Sequence, residues 1–197
     1  KRLTFILLTI GLLTIPQWAT SAPARAAPTG QESNCLFFTE TVQGEGGFSV
    51  CDDDEAKFRT PFERWGLQNI GYPVSQRYIY DGFVTQAFQK AIMQWRPDGN
   101  YVALVNIFDD LHNAGFDDLL LRDIQTPRQL PAGWDGNIPF DEVVKKRQAL
   151  LEVRPALQQA YFASSDPLTF YGLPTSEVED VGNHYAIRLQ RAVLQEW

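Results

Sequence analysis

The apolar positions of this chain fall into short runs of differing period, separated by Gly- and Pro-rich breaks. Such a pattern predicts small sheets mixed with short helices. Within residues 57–65, Phe58, Phe62 and Trp65 stand at helical spacing, and Pro61 fits the first turn of a helix beginning near Thr60 and stopped by Gly66. Over residues 77–95 an alternation puts Val84, Gln86 and Phe88 on one face and Ile92 and Gln94 on another, which reads as two strands joined near Lys90-Ala91. A helix competes there, because Gln89-Lys90-Ala91-Ile92-Met93-Gln94 has good helix propensity. Arg96-Pro97-Asp98-Gly99 is a turn, and residues 101–105 read as a strand. Ile107, Leu111 and Phe116 fit an amphipathic helix ending near Gly115. Residues 125–140 form a long Pro/Gly-rich connection. Asp141 reads as the N-cap of a helix carrying Val143, Val144, Leu150 and Leu151, and Pro155 opens a further helix over 156–162. The class is α+β.

Residues 67–94 reappear at 168–195 without a gap, at a constant offset of 101. Leu67 maps to Leu168, Gly71 to Gly172, Pro73 to Pro174 and Ser75 to Ser176. The block Phe88-Gln89-Lys90-Ala91-Ile92-Met93-Gln94 maps onto Leu189-Gln190-Arg191-Ala192-Val193-Leu194-Gln195. A duplication of this kind builds a chain from units. Glycine accepts a positive φ and proline fixes its own, so Gly71-Tyr72-Pro73 and Gly172-Leu173-Pro174 impose turns. The predicted architecture is two copies of a small turn-plus-β-hairpin unit with helices between them.

The two ends bear on compartment. Lys1-Arg2, the apolar run over 3–15 and the small-x-small Ala24-Arg25-Ala26 predict a secretory signal over residues 1–26, cleaved after Ala26. A membrane-spanning helix is disfavoured, since the run is shorter than the ~20 apolar residues a span requires. The expected divisions are a first repeat unit over 27–100, a helical spacer over 101–159, and a second repeat unit, cut short, over 160–197. The whole is read as part of a longer exported protein. Cys35 and Cys51 are the two cysteines, and in an exported chain they predict a disulfide stapling the first unit; two free thiols in a reducing compartment are the alternative. Of 17 basic residues the leader holds three, leaving 14 against 24 acids. That balance lacks the basic face needed for nucleic acid and disfavours anionic lipid.

Ile70-Gly71-Tyr72-Pro73 and Tyr171-Gly172-Leu173-Pro174, with the block that follows each, resemble the LGFP repeat of extracellular bacterial proteins. The intervening Val102-Ala103-Leu104-Val105-Asn106-Ile107-Phe108-Asp109 is similar to secreted proteins of the Chloroflexota, which often sit beside cell-wall or carbohydrate-active domains. The resemblance implies cell-envelope association without catalysis, and no cofactor.

Candidate chemistry is thin. No Gly-x-Ser-x-Gly elbow frames Ser75 or Ser176, and capping of the following segment explains both better. Carboxylate pairs such as Asp52–Asp54, Asp109–Asp110, Asp117–Asp118 and Glu177 with Glu179 and Asp180 would serve glycoside hydrolysis at the right separation, but a solvated acidic face explains them as well. The run Asp52-Asp53-Asp54-Glu55 lacks EF-hand spacing, and two cysteines with distant His112 and His184 lack zinc-ligand spacing. Five Trp, seven Tyr and thirteen Phe either fill small cores or stack on sugars; Tyr72, Trp95, Trp134 and Trp197 are the candidates for a glycan site. The sequence therefore predicts a secreted, non-enzymatic binding or anchoring module. Its partner would be wall polysaccharide or an envelope protein, and a hydrolase acting on glycan or peptidoglycan, or a structural spacer, are the alternatives.

Overall fold

The computed structural model describes residues 34–42, 44 and 46–197; the predicted leader lies outside the described residues. The chain opens with an antiparallel hairpin, β1 (Cys35–Phe38) and β2 (Phe48–Cys51), in which Cys35 stands opposite Cys51. The two sulfurs are bonded. Closing this 16-residue separation contributes about 3 kcal/mol in the chain-entropy account.

Helix α1 (Arg59–Trp65) has no cap from its own N-cap residue, Phe58. Asp52, at the end of the hairpin, accepts instead from the Thr60 amide and hydroxyl. Asp53 accepts from the Glu55 and Ala56 amides and pairs with Arg77. Asp52 and Asp53, the first two carboxylates of the acidic run, are thus spent on closing a loop and starting a helix.

The first unit follows: α2 (Leu67–Ile70), then a four-stranded antiparallel sheet of β3 (Tyr78–Tyr80), β4 (Phe83–Ala87), β5 (Ile92–Arg96) and β6 (Tyr101–Leu104) in sequential order. Strand β6, on the spacer side of the expected boundary at residue 100, pairs with β5 from Met93↔Leu104 to Arg96↔Tyr101. Between the units lie α3 (Ile107–Asn113), α4 (Asp117–Ile124) and α5 (Phe140–Gln148). Two helical details differ from expectation. Asp141 lies in the first turn of α5 and Pro139 holds the cap position, because proline's fixed φ already suits the helix entrance. Helix α4 starts with Asp117-Asp118 and carries Arg122 in its last turn, charges that match the helix dipole.

The second unit comprises α6 (Pro155–Phe162), α7 (Pro167–Phe170) and the three-stranded sheet β7 (Glu179–Asp180), β8 (Tyr185–Arg188) and β9 (Val193–Glu196). The two units repeat the same backbone geometry and pairing at corresponding positions. Gly71 and Gly172 have φ of 75° and 74°. Pro73 bridges Phe88 as Pro174 bridges Leu189. Thr85↔Gln94 and Gln86↔Met93 recur as Ala186↔Gln195 and Ile187↔Leu194. The architecture is α+β, with two copies of a turn-plus-hairpin unit.

Burial follows the alternation. Gln86, Met93 and Leu104 are successive cross-strand partners on one face, and Met93 and Leu104 join Val50, Phe58, Phe62, Ile70 and Phe88 in a first core. A second core holds Leu151, Leu157, Tyr161, Ile187 and Leu189. Tyr171 packs against both, and Trp65 meets Phe170 edge-on at 6.3 Å, so the units share a seam.

A Cβ on Gly71 would sit 2.7 Å from the Gln89 Cβ, and one on Gly172 would sit 2.7 Å from the Gln190 Cβ; Gly82, at φ 76°, has open space around it. Gly82→Ala should therefore lose only the left-handed strain, about 1 kcal/mol. Gly71→Ala and Gly172→Ala should each lose about 1–3 kcal/mol beyond that, because the clash is with a locked neighbour. Urea melts of the three variants check the order; equal losses would show that the close approach carries no energy.

Candidate functional site

Each turn is braced by the same pair of side chains. The Gln89 Oε1 accepts from the Tyr72 amide at 3.0 Å, as Gln190 Oε1 does from Leu173. Ser75 Oγ accepts from the Ala87 amide at 2.9 Å, and Ser176 Oγ from the Arg188 amide at 2.8 Å. The serines therefore brace a strand twelve residues downstream, and the Ser176 hydroxyl also donates to the Glu177 carbonyl in the segment that follows. Neither histidine bonds to them. His112 Nδ1 meets Asp117 at 2.7 Å, and His184 Nδ1 meets Asn183 Oδ1 at 2.8 Å.

The aromatic candidates are not gathered into one platform. Trp95 is 8% exposed and belongs to the first core, with the Lys57 ammonium 5.9 Å from its ring. It has no free face for a sugar, because its pattern position is the core face of β5. Tyr72 is half-buried and packs edge-on against Phe38 at 5.7 Å. Trp134 is half-buried under the Lys146 ammonium at 4.2 Å. Trp197 is 78% exposed, with one face stacked on His184 at 4.1 Å.

A cleft of about 610 Å³ lies at the seam between the units. Corresponding segments line its two sides: Gln68 and Asn69 with Lys90, Ala91 and Ile92 from the first unit, and Phe170 and Tyr171 with Arg191, Ala192 and Val193 from the second. Val105, Ile107, Phe108 and Ile124 supply an apolar floor. Its charged lining is basic, Lys90 and Arg191, in a chain whose net charge is −7. Arg191 donates to the carbonyls of Leu104, Leu168 and Thr169, which holds its guanidinium at the wall. Lys90 plays the same part in the first unit, donating to Gln68 O.

Behind this cleft lies the buried charge centre. Arg188 is fully buried, donates to Asp117 Oδ1 at 2.7 Å and to the Phe108 carbonyl, and lies over the Phe108 ring. In the first unit its position is taken by Ala87, so the centre belongs to the second unit alone. Burial pushes the Asp117 carboxyl up, but the hydrogen bonds from Arg188 and His112 outweigh it, and the group lies below the ordinary carboxylate range. Phe108 N donates to Gln190 O, and Gln190 Nε2 to Asp109. The start of α3 is thereby pinned to the second unit's turn, and the cleft floor is fixed.

A smaller hollow of about 250 Å³ is lined by Arg154, Asp180, His184, Tyr185, Glu196 and Trp197 among others. His184 is 4% exposed, and its Nε2 has no partner. Glu196 is held by both nitrogens of an Arg154 fork at 2.8 Å. The Arg154 hydrogen bond keeps that carboxyl below its usual range. No cluster of three or more His, Cys, Asp or Glu among the described residues is arranged to hold a metal ion, and no described helix is long and apolar enough to cross a membrane.

The fold and site define a duplicated α+β module with a basic-rimmed apolar cleft at its internal seam. Comparison with protein-family models, with curated protein sequences and with solved structures finds no match to this chain.

Asp117→Asn should destabilise the chain by about 3 kcal/mol at neutral pH, because it leaves a buried guanidinium without its charge partner. The Asp117 carboxyl is depressed in the folded chain, so its contribution is present above the unfolded value, about 4, and is lost as pH falls through the folded one. The gap between wild type and Asp117→Asn in urea midpoints should stay constant from pH 7 to about 5 and close in more acid solution. A gap independent of pH would refute the ion-pair account.

Proposed function

We propose that this chain is an exported, non-enzymatic module that binds or anchors at the bacterial cell envelope, built on LGFP-like units. The observation that carries this reading is the cleft at the seam. Two pairs of polar side chains common to both units, Gln89 with Gln190 and Ser75 with Ser176, are spent on holding the turns. What the braced turns jointly present is a concave, largely apolar surface with a few polar groups at its rim, which is the form binding sites take. The disulfide between Cys35 and Cys51 is in keeping with an oxidising compartment.

Among the chemistries weighed for the partner, an envelope protein fits the cleft better than a polysaccharide. Trp95 is packed away, and Tyr72, Trp134 and Trp197 each have a different neighbour. The chain should be retained by isolated cell envelopes, and retention should survive Trp134→Ala and Trp197→Ala while falling when the cleft floor is altered by Ile124→Glu. Retention lost in Trp197→Ala alone would favour sugar stacking, and no retention on envelope, wall or polysaccharide would favour a spacer.

A hydrolase acting on glycan or peptidoglycan is the second reading, favoured by one observation: the unpartnered Nε2 of His184 shares its hollow with Asp180 and Glu196. Glu196 is fixed as a carboxylate by Arg154 and is unsuited to donate a proton. On that reading the chain would release reducing ends from peptidoglycan and His184→Gln would stop the release; a chain that releases none removes it.

A further inference from the structure

Adjacent residues of a strand point to opposite faces, so the first sheet has a second face behind the core that Met93 and Leu104 enter. On it Thr85, Gln94 and Ala103 are cross-strand partners on β4, β5 and β6. Thr85 is fully buried and Gln94 is 2% exposed, although both are polar. Gln94 donates to the Tyr80 carbonyl and to Thr85 Oγ1. Helix α3 is tied to this side of the sheet by the Tyr80 hydroxyl, which donates to Asp110 at 2.8 Å. A hollow of about 250 Å³ lies here, bordered by Tyr80, Asp81, Gln94, Arg96, Asn106 and Asp110, with Ala103 and Val105 also in its lining. Three of its groups are short of partners. The Arg96 guanidinium lies 3.8 Å over the Phe83 ring but makes no ion pair or side-chain hydrogen bond among the described residues. The Asp81 carboxylate makes none either, on a turn residue with φ 50°. Asn106 Oδ1 is buried without a hydrogen-bond partner, which costs stability unless something satisfies it. The hydrogen bond to Asp110, burial, and the charges of Asp110 and Asp81 together push the Tyr80 hydroxyl above its ordinary range, so both carboxylates act on the same spot.

We propose that this hollow binds a small α-amino acid in its zwitterionic form. The carboxylate of the ligand pairs with Arg96, and its ammonium lies among Asp81, Asp110 and Asn106 Oδ1. A guanidinium presents a fork of N–H donors that matches a carboxylate. An ammonium has three donors and no acceptor, and three oxygen-bearing side chains await it. Asn106 then gains the partner that the protein itself does not supply. The two unpaired charges select for both ends of the ligand at once. A cation alone would leave Arg96 unmet, and an anion alone would face two carboxylates. The volume and the small Ala103 side chain in the lining fit glycine or alanine better than a bulky residue. The hollow shares Val105 and Arg191 with the seam cleft but neither of its unpaired charges, so the proposal stands apart from the reading of the chain as an envelope module.

The probe is L-alanine, titrated into the intact chain at pH 7 and followed by calorimetry. It should bind saturably at one site. Ethylamine and propionate each carry one of its two charges and should bind about tenfold more weakly or worse, since a hydrogen bond to a charged group is worth roughly that factor. Asp81→Asn should weaken alanine by a similar factor with an unchanged melting temperature, because the side chain has no protein partner to lose and asparagine accepts the left-handed backbone. Arg96→Gln should weaken alanine as much, and Arg96→Lys less. Asp98→Asn, outside the hollow, should change nothing. In the unaltered chain, alanine should shift the amide resonances of Asp81, Arg96 and Asn106 and leave those of Gln68 and Asn69 in the seam cleft in place. No saturable binding, equal binding of ethylamine or propionate, an affinity unmoved by Asp81→Asn, or shifts confined to the seam cleft overturns the proposal.

Discussion

Two glycines in the left-handed region carry this architecture. At Gly71 and at Gly172 the backbone passes so close to a glutamine stem that no side chain fits between. The approach lets Gln89 and Gln190 reach the amides just beyond the turn. The following prolines set the entry angle of the next segment and bridge to the ends of β4 and β8. A serine two residues on then satisfies a strand amide. Buried backbone groups must be paired, and here one short motif pairs several of them at once. Replace the glycine and the glutamine moves, the amide is orphaned, and the hairpin loses its anchor to the turn.

Because each unit is closed by its own brace, its outer surfaces are free to diverge, and they have. Ala87 in the first unit corresponds to Arg188 in the second, where a buried guanidinium reaches Asp117 on α4 and the Phe108 carbonyl at the start of α3. Lys90 and Arg191 occupy matching positions, but Arg191 reaches back to Leu104 at the end of β6. The second unit thus holds the connecting helices through the Arg188–Asp117 pair, whereas the first holds the disulfide hairpin through the apolar contacts of Val50, Phe58 and Phe62 together with the Arg77–Asp53 pair. A buried pair such as Asp117–Arg188 is costly to break and weak as a source of net stability. Its use here is positional: it sets α3 and α4 against the second unit and so forms the floor of the cleft.

Much of the fold was legible because local rules and packing agree. The Gly-x-Pro turns, the strands of 83–96, the helix opened by Pro155 and the cysteine pair each answer to a constraint acting within a few residues or, for the duplication, to a pattern visible twice. Strand β3 and helix α4 escaped for different reasons. Tyr78-Ile79-Tyr80 is too short to show a period, and only pairing with β4 makes it a strand. The charges at the two ends of Asp117–Ile124 are a helix signal, but the stronger apolar spacing just upstream masks it. The site was far less legible. Trp95 looked like a stacking residue because composition cannot distinguish a ring on the core face of a strand from one on the solvent face. Arg188 and Asp117 lie 71 residues apart, and nothing in either neighbourhood announces the other.

The seam cleft follows from where the two units touch. Contact concentrates where the turns meet, at Phe170, Tyr171 and the Trp65 ring, and space opens beside it. In the first unit the chain itself runs through that region, as β6 and then α3, covering the edge of β5 on its way to the second unit. The chain running from β6 into α3 between the two copies therefore also builds part of the cleft, to which it supplies Val105, Ile107 and Phe108.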